Sequence, residues 1–205
     1  MSEFGTMNDF DQLLSSIHQR GMKLILDLVV NHTSDEHPWF IESKSSKTNA
    51  KRDWYIWADP KPDGSEPNNW ESIFNGSTWE FDESTKQYYF HLFSKKQPDL
   101  NWENPDVRQA VFEMMNWWFE KGIDGFRVDA ITHIKKNFEA GDLPVPDGKK
   151  FAPAFDVDMN QPGIQEWLQE MKDKSLSRYD IMTVGEANGV TPNAVSYTHL
   201  RAHET

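Results

Sequence analysis

No cysteine occurs in this chain. That rules out disulfides and thiolate chemistry and leans toward a reducing compartment, so a cytoplasmic location is expected. No apolar run approaches the roughly 20 residues that cross a bilayer as a helix, and no membrane partner is expected. Basic residues are scarce relative to acidic ones: 21 Lys and Arg against 33 Asp and Glu give a formal net charge of -12. Nucleic acids and anionic membranes need cations, so that balance argues against both as partners. No internal repeat recurs, and no block of like charge is long enough to read as a tail. Aromatic surface, by contrast, is plentiful, with nine Trp and 13% aromatics overall. Such side chains build cores, and their faces also suit stacking on sugars. At 205 residues the chain can enclose one sizeable core.

The periodicity has a definite order. "NDFDQLLSSIHQRG" reads as a helix capped by Asn8, with Phe10, Leu13, Leu14 and Ile17 as its stripe and Gly21 as its stop. "MKLILDLVV" follows as a near-continuous apolar run, the pattern of a parallel strand covered on both faces. From about Thr33 to Glu103 regular period gives way to Trp, Tyr, Asn, Ser and Pro, with short alternating runs such as "QYYFHLF". That is too long for a simple connection, so it is a functional insertion or a small subdomain. Period returns with Asn104 as cap, Pro105 at the first helical position and Asp106 in the first turn. Val107, Ala110, Val111, Met114, Met115 and Trp118 form the stripe of that helix, and Gly122 ends it. The strand "GFRVDAI", the helix "QPGIQEWLQEMKDK" and the strand "YDIMTVGE" complete an α/β pattern.

Charge sits oddly on these strands. In "GFRVDA", Phe126, Val128 and Ala130 fall on one face and Arg127 and Asp129 on the other. Buried charge is expensive unless paired, so these two either form a structural ion pair or face a polar cavity. Asp27, Asn31 and His32 lie toward the end of the first strand, and Glu186 ends the third. In α/β sheets and barrels the C-terminal strand ends build the active site. Three strands delivering polar groups at one end favour a shared pocket over three separate pairs.

The same residues carry a family resemblance. "DLVVNH", "GFRVDA" and "TVGEA" resemble the first three signature regions of the α-amylase superfamily, family 13 of the glycoside hydrolases. "QPDLNW" resembles the extra motif of its oligo-1,6-glucosidase and α-glucosidase group, and the likeness runs from Ser2 to Ala194. It implies part of a (β/α)₈ TIM barrel, about strands three to five, with a small domain inserted between strand three and helix three. The implied divisions are 1–32 (barrel helix and strand three), 33–103 (inserted domain), 104–194 (barrel helix three to strand five) and 195–205. It further implies Asp129 as nucleophile, Glu186 as general acid/base and Arg127 as support for the nucleophile. Asp27 would orient the site and His32 would hold the bound glucose, with Phe74, Phe93 and Gln97 near the sugar subsites. Ala130, next to the nucleophile, would tune linkage toward α-1,4 bonds. The chemistry is consistent with these roles: a retaining glycosidase needs one ionised and one protonated carboxyl group. Arg127 would hold Asp129 ionised, and desolvation would protonate Glu186.

The implied partner is a short gluco-oligosaccharide, and the full-length enzyme is expected to be a monomer without cofactor. Relatives often bind calcium in a loop after strand one, which the resemblance places upstream of Met1. It makes Met1 internal and puts the fourth signature region, with a third carboxylate, downstream. "VSYTHLRAHET" lacks any period and is expected to be non-native. His32 and His37 flank Asp35 without a metal-site spacing, and "DVDMNQ" lacks the Gly and Glu of an EF-hand loop, so no metal site is expected. "NHT" and "NGS" match the glycosylation pattern by chance. Trehalose-6-phosphate hydrolases share most of these motifs, and non-catalytic barrel relatives share the fold.

Overall fold

The computed structural model describes residues 5–190, so the expected non-native segment 195–205 lies outside the described residues. Helix α1 spans Met7–Gln19. Its cap is Thr6, not Asn8: Asp9 N donates to Thr6 Oγ1 at 3.3 Å, and Thr6 N donates back to Asp9 Oδ2 at 2.7 Å. Both ends of this capping box are satisfied, which Asn8, already inside the first turn, could not achieve. Thr6→Ala is expected to lose about 1 kcal/mol, read as a lower thermal midpoint of the full-length protein; an unchanged midpoint would argue against this cap. Of the expected stripe, Leu14 is buried, whereas Leu13 stands exposed.

Strand β1 (Ile25–Val29) follows. Segment 33–103 then folds into helix α2 (Pro38–Ser45) and strands β2 (Trp57–Ala58), β3 (Trp70–Glu71), β4 (Trp79–Asp82) and β5 (Gln87–Phe90). β2, β5 and β4 form an antiparallel sheet. Helix α3 (Pro105–Glu120) starts as expected, Asp106 N donating to Asn104 Oδ1 with Pro105 in the first turn. Its buried face also takes in Phe112 and Phe119, while Ala110, Met114 and Trp118 are half-buried. Strand β6 (Gly125–Asp129), β7 (Ala152–Pro153), the short helix α4 (Phe155–Asp158), α5 (Ile164–Lys174) and strand β8 (Met182–Gly185) complete the chain.

β1, β6 and β8 form a parallel sheet in that order, so α3 and α5 each lie on the crossover between neighbouring strands. Asp27 pairs across from Arg127 and Val29 from Asp129; Arg127 in turn pairs with Val184. Gly125 permits the close approach of β6 to β8: a Cβ there would lie 1.7 Å from Met182 O. Leu28, Phe126 and Val128 bury one face of the sheet in a core with Val111, Met115, Leu168 and Met171. The other face is a correction to the expected strand covered on both sides. Ile25, Val29, Met182 and Val184 are all exposed, because among the described residues no element packs against them. A second core gathers Trp70, Trp79, Phe90 and Leu92 with Ala154 and Val157. Here β3 pairs with β7, and Trp70 stacks on Phe138 at 5.2 Å. The loop after β6 thus supplies part of the packing of segment 33–103.

Candidate active site

The uncovered sheet face carries the charges. Asp27 lies in the middle of β1, Arg127 and Asp129 on β6, and Glu186 one residue past β8. Parallel pairing in this register sets their side chains on one face. Arg127 joins all three carboxylates: Nη1 donates to Asp27 Oδ1 at 2.8 Å and to Asp129 Oδ1 at 2.6 Å, and Nη2 donates to Glu186 Oε2 at 2.6 Å. Those bonds, the one to Asp27 foremost, push the Arg127 guanidinium above its ordinary range. One guanidinium against three carboxylates leaves the cluster with excess negative charge. Glu186 departs from expectation. Its side chain is 40% exposed and ion-paired rather than desolvated, since β8 is an edge strand among the described residues.

A second group forms beyond the end of β1. His32 is buried, and its ring lies 5.2 Å from that of Phe93, which meets Phe74 edge-on at 5.9 Å. Gln97 Nε2 lies 2.9 Å from His32 Nε2, and Gln97 Oε1 accepts a bond from Ser94 N at 3.2 Å. Burial lowers the pKa of His32, while Asp99 and Asp129 act to raise it. The structure therefore sets Phe93 and Gln97 against His32, with Phe74 behind Phe93. A cleft of about 330 Å³ opens beside Phe74 and Phe93. Another, of about 530 Å³, lies between Trp57, Glu103, Lys135 and Trp167 and holds none of the expected residues.

Ala130 is a correction. It does not continue the strand face of Phe126 and Val128; it turns out of the strand in the left-handed region, φ 46°, with its side chain buried. That is uncommon for a residue with a Cβ, and such outliers cluster at functional sites.

The chain matches the family model described as alpha amylase, catalytic domain, over residues 1–205. It belongs to the α-amylase family. Among its α-amylase relatives, the protein named "Probable oligo-1,6-glucosidase 3" of Bacillus subtilis (strain 168) is 66% identical over 93% of this chain and 34% of its own length. The oligo-1,6-glucosidase of Parageobacillus thermoglucosidasius is 60% identical over 97% of this chain and 35% of its own. A crystal structure of Bacillus licheniformis trehalose-6-phosphate hydrolase superposes with a TM-score of 0.85 at 51% identity, covering 93% of this chain and 33% of that one. The chain thus spans about a third of the length of the relatives it matches.

Sequence reasoning missed one network in this α-amylase segment. Lys136 Nζ lies 2.6 Å from Asp99 Oδ2, with both side chains buried. Lys136 Nζ also donates to Asn31 Oδ1 at 2.8 Å, and Asn31 Nδ2 donates to Asp99 Oδ2 at 2.9 Å. Asp99 lies inside "QPDLNW", which was a signal; Lys136, in a loop without period, gave none. Asn31 is wholly buried here, which excludes it as a glycosylation acceptor. His37 serves as the N-cap of α2, and the start of "DVDMNQ" lies in α4. No group of three metal-ligating side chains gathers among the described residues.

Proposed function

We infer that this chain is the part of a retaining α-glucosidase that carries its nucleophile and its acid/base. The observation that supports this reading best is the single guanidinium of Arg127 gripping Asp129 and Glu186 at 2.6 Å each from adjacent strands. Sharing one planar fork keeps two carboxylates within several ångströms of each other, and retaining enzymes work at a separation of about 5–5.5 Å. Asp129 attacks the anomeric carbon as the bond to the leaving sugar oxygen breaks, and Glu186 gives that oxygen a proton. Water then attacks the glycosyl ester, yielding its proton to Glu186 and releasing Asp129 with retained configuration. The excess negative charge of the cluster suits the positive charge that develops on the sugar ring. Asp27 shares Arg127 Nη1 with Asp129, and His32, Phe93, Phe74 and Gln97 bind the glucose ring. The barrel reading of β1, β6 and β8 as strands three, four and five, with 33–103 inserted after strand three, rests on their parallel order and the family match. Release of glucose with retained anomeric configuration from maltose by the full-length enzyme is expected. Net inversion, or hydrolysis confined to 6-phosphorylated glucosides, would overturn the reading, the latter in favour of a trehalose-6-phosphate hydrolase.

The linkage preference follows from Ala130, which is buried directly beside Asp129. A small side chain at this point leaves room for a leaving glucose attached through a ring hydroxyl. Maltose and short malto-oligosaccharides are therefore expected to be favoured over isomaltose. A volume change of this size discriminates by about 1–3 kcal/mol, or roughly 10–200-fold. Ala130→Val should move the kcat/KM ratio toward isomaltose. Because a β-branched residue is strained at this backbone angle, the thermal midpoint is to be measured beside it. A wild-type preference for isomaltose, or a ratio unmoved in a folded variant, would sink the idea.

A further inference from the structure

We propose that the buried Lys136–Asp99 pair, acting through Asn31, keeps the ring proton of His32 on Nε2, so that the ring offers an N–H donor on the side facing Gln97. The proposal deepens the reading of His32 as a sugar-binding residue and rests on it for its consequence in catalysis. A neutral imidazole has one N–H and one bare nitrogen, and the hydrogen bond made at one decides the other. In this structure both ring nitrogens meet side-chain amides: Asn31 Nδ2 lies 3.3 Å from Nδ1, and Gln97 Nε2 lies 2.9 Å from Nε2. Two amide N–H groups cannot both be accepted by a ring that carries a proton of its own, so one amide must yield.

The strength of the holds decides which. Asn31 Oδ1 accepts from the Lys136 ammonium and Asn31 Nδ2 donates to the Asp99 carboxylate, at 2.8 and 2.9 Å. Bonds to charged groups are roughly twice as strong as neutral ones. Turning this amide over would set its NH₂ against the ammonium and its oxygen against the carboxylate. Lys136 and Asp99 are 2% and 0% exposed, so water and salt screen the hold little. Asp99 is fixed in turn by Leu92 N at 2.9 Å. Apart from its contact with His32, the Gln97 amide is fixed among the described residues by the neutral Ser94 N–H at 3.2 Å. Gln97 is therefore the group that turns or swings aside, and Nδ1 stays the acceptor facing Asn31. Lys136, Asp99 and Asn31 are positioning residues: they act through His32.

The tautomer is read directly by nitrogen NMR of full-length enzyme labelled with ¹⁵N-histidine, with His32 assigned by the signals lost in His32→Gln. The expected spectrum has a protonated Nε2 and a bare Nδ1; a bare Nε2, or a doubly protonated ring at neutral pH, overturns the proposal. Asn31→Asp sets an acceptor oxygen against Nδ1. It should draw a proton to Nδ1 and raise KM about 10-fold, the equivalent of one hydrogen bond, with a smaller change in kcat. An unchanged ring spectrum in the folded variant breaks the link to Asn31, and should that variant not fold, the wild-type spectrum still decides. An enzyme with no glucosidase activity but a protonated Nε2 overturns the functional reading and leaves the tautomer assignment standing.

Discussion

Asp129→Ala in the full-length enzyme is expected to lower kcat by at least about 10³-fold, since residues that act as one catalytic unit lose nearly everything when one is removed. On the proposed reading of Asp129 as nucleophile, the fall should reappear with every glucoside, because the missing group would form the bond that all of them share. Azide or formate should restore part of the activity by entering the space left by the carboxylate. Glu186→Ala should behave differently. Its loss should be large with maltose and much smaller with p-nitrophenyl α-glucoside, whose leaving group departs without a proton. The two carboxylates lie on opposite nitrogens of one guanidinium, so removing either leaves Arg127 held by the other and by Asp27. The cluster geometry should therefore survive, and circular dichroism should match wild type. An Asp129→Ala enzyme that keeps more than a few per cent of its turnover would take the nucleophile role away from this residue.

The 205-residue chain expressed alone should show no detectable hydrolysis of p-nitrophenyl α-glucoside and should be poorly soluble. The reason is on the sheet. Ile25, Val29, Met182 and Val184 are 40–61% exposed on the same face as the carboxylates. At about 25 cal/mol per Å² of apolar surface, leaving such a face in water forfeits several kcal/mol and invites association. Among the described residues β1 and β8 are the edges of this three-stranded sheet, and an open strand edge is a template for pairing with another chain. The chain spans about a third of the length of these relatives, and a closed barrel would cover such a face. Turnover by the purified chain, or a soluble monomer with a sharp thermal transition, would refute this.

Much of this is legible in the sequence. The alternation of Phe126, Arg127, Val128 and Asp129 requires two faces of unlike polarity, and the sheet provides them. Asn104 and Pro105 mark a helix start because capping is a local matter of one side chain and one backbone amide. The motifs around Asp27, Arg127, Asp129 and Glu186 set polar groups toward the ends of three strands, and the guanidinium of Arg127 joins the three carboxylates. Local rules failed where two candidates competed within one turn. Thr6 prevailed over Asn8 as cap because Asp9 stood at the right spacing to reciprocate.

The sequence by itself determined the order of α1, β1, α3, β6, α5 and β8, the faces of β6 and the identity of the charged residues, since each follows from period, capping and composition within a dozen residues. Only the tertiary structure decided the rest. It set β3 beside β7 across some 80 residues, turned Ala130 out of its strand and left one sheet face open. It also buried Lys136 against Asp99 and Asn31. None of these has a local signal, because each is an agreement between segments far apart in the chain, settled by which contacts desolvate together. A lysine in a loop reads as solvated until the fold supplies the one carboxylate and the one amide that make its burial tolerable.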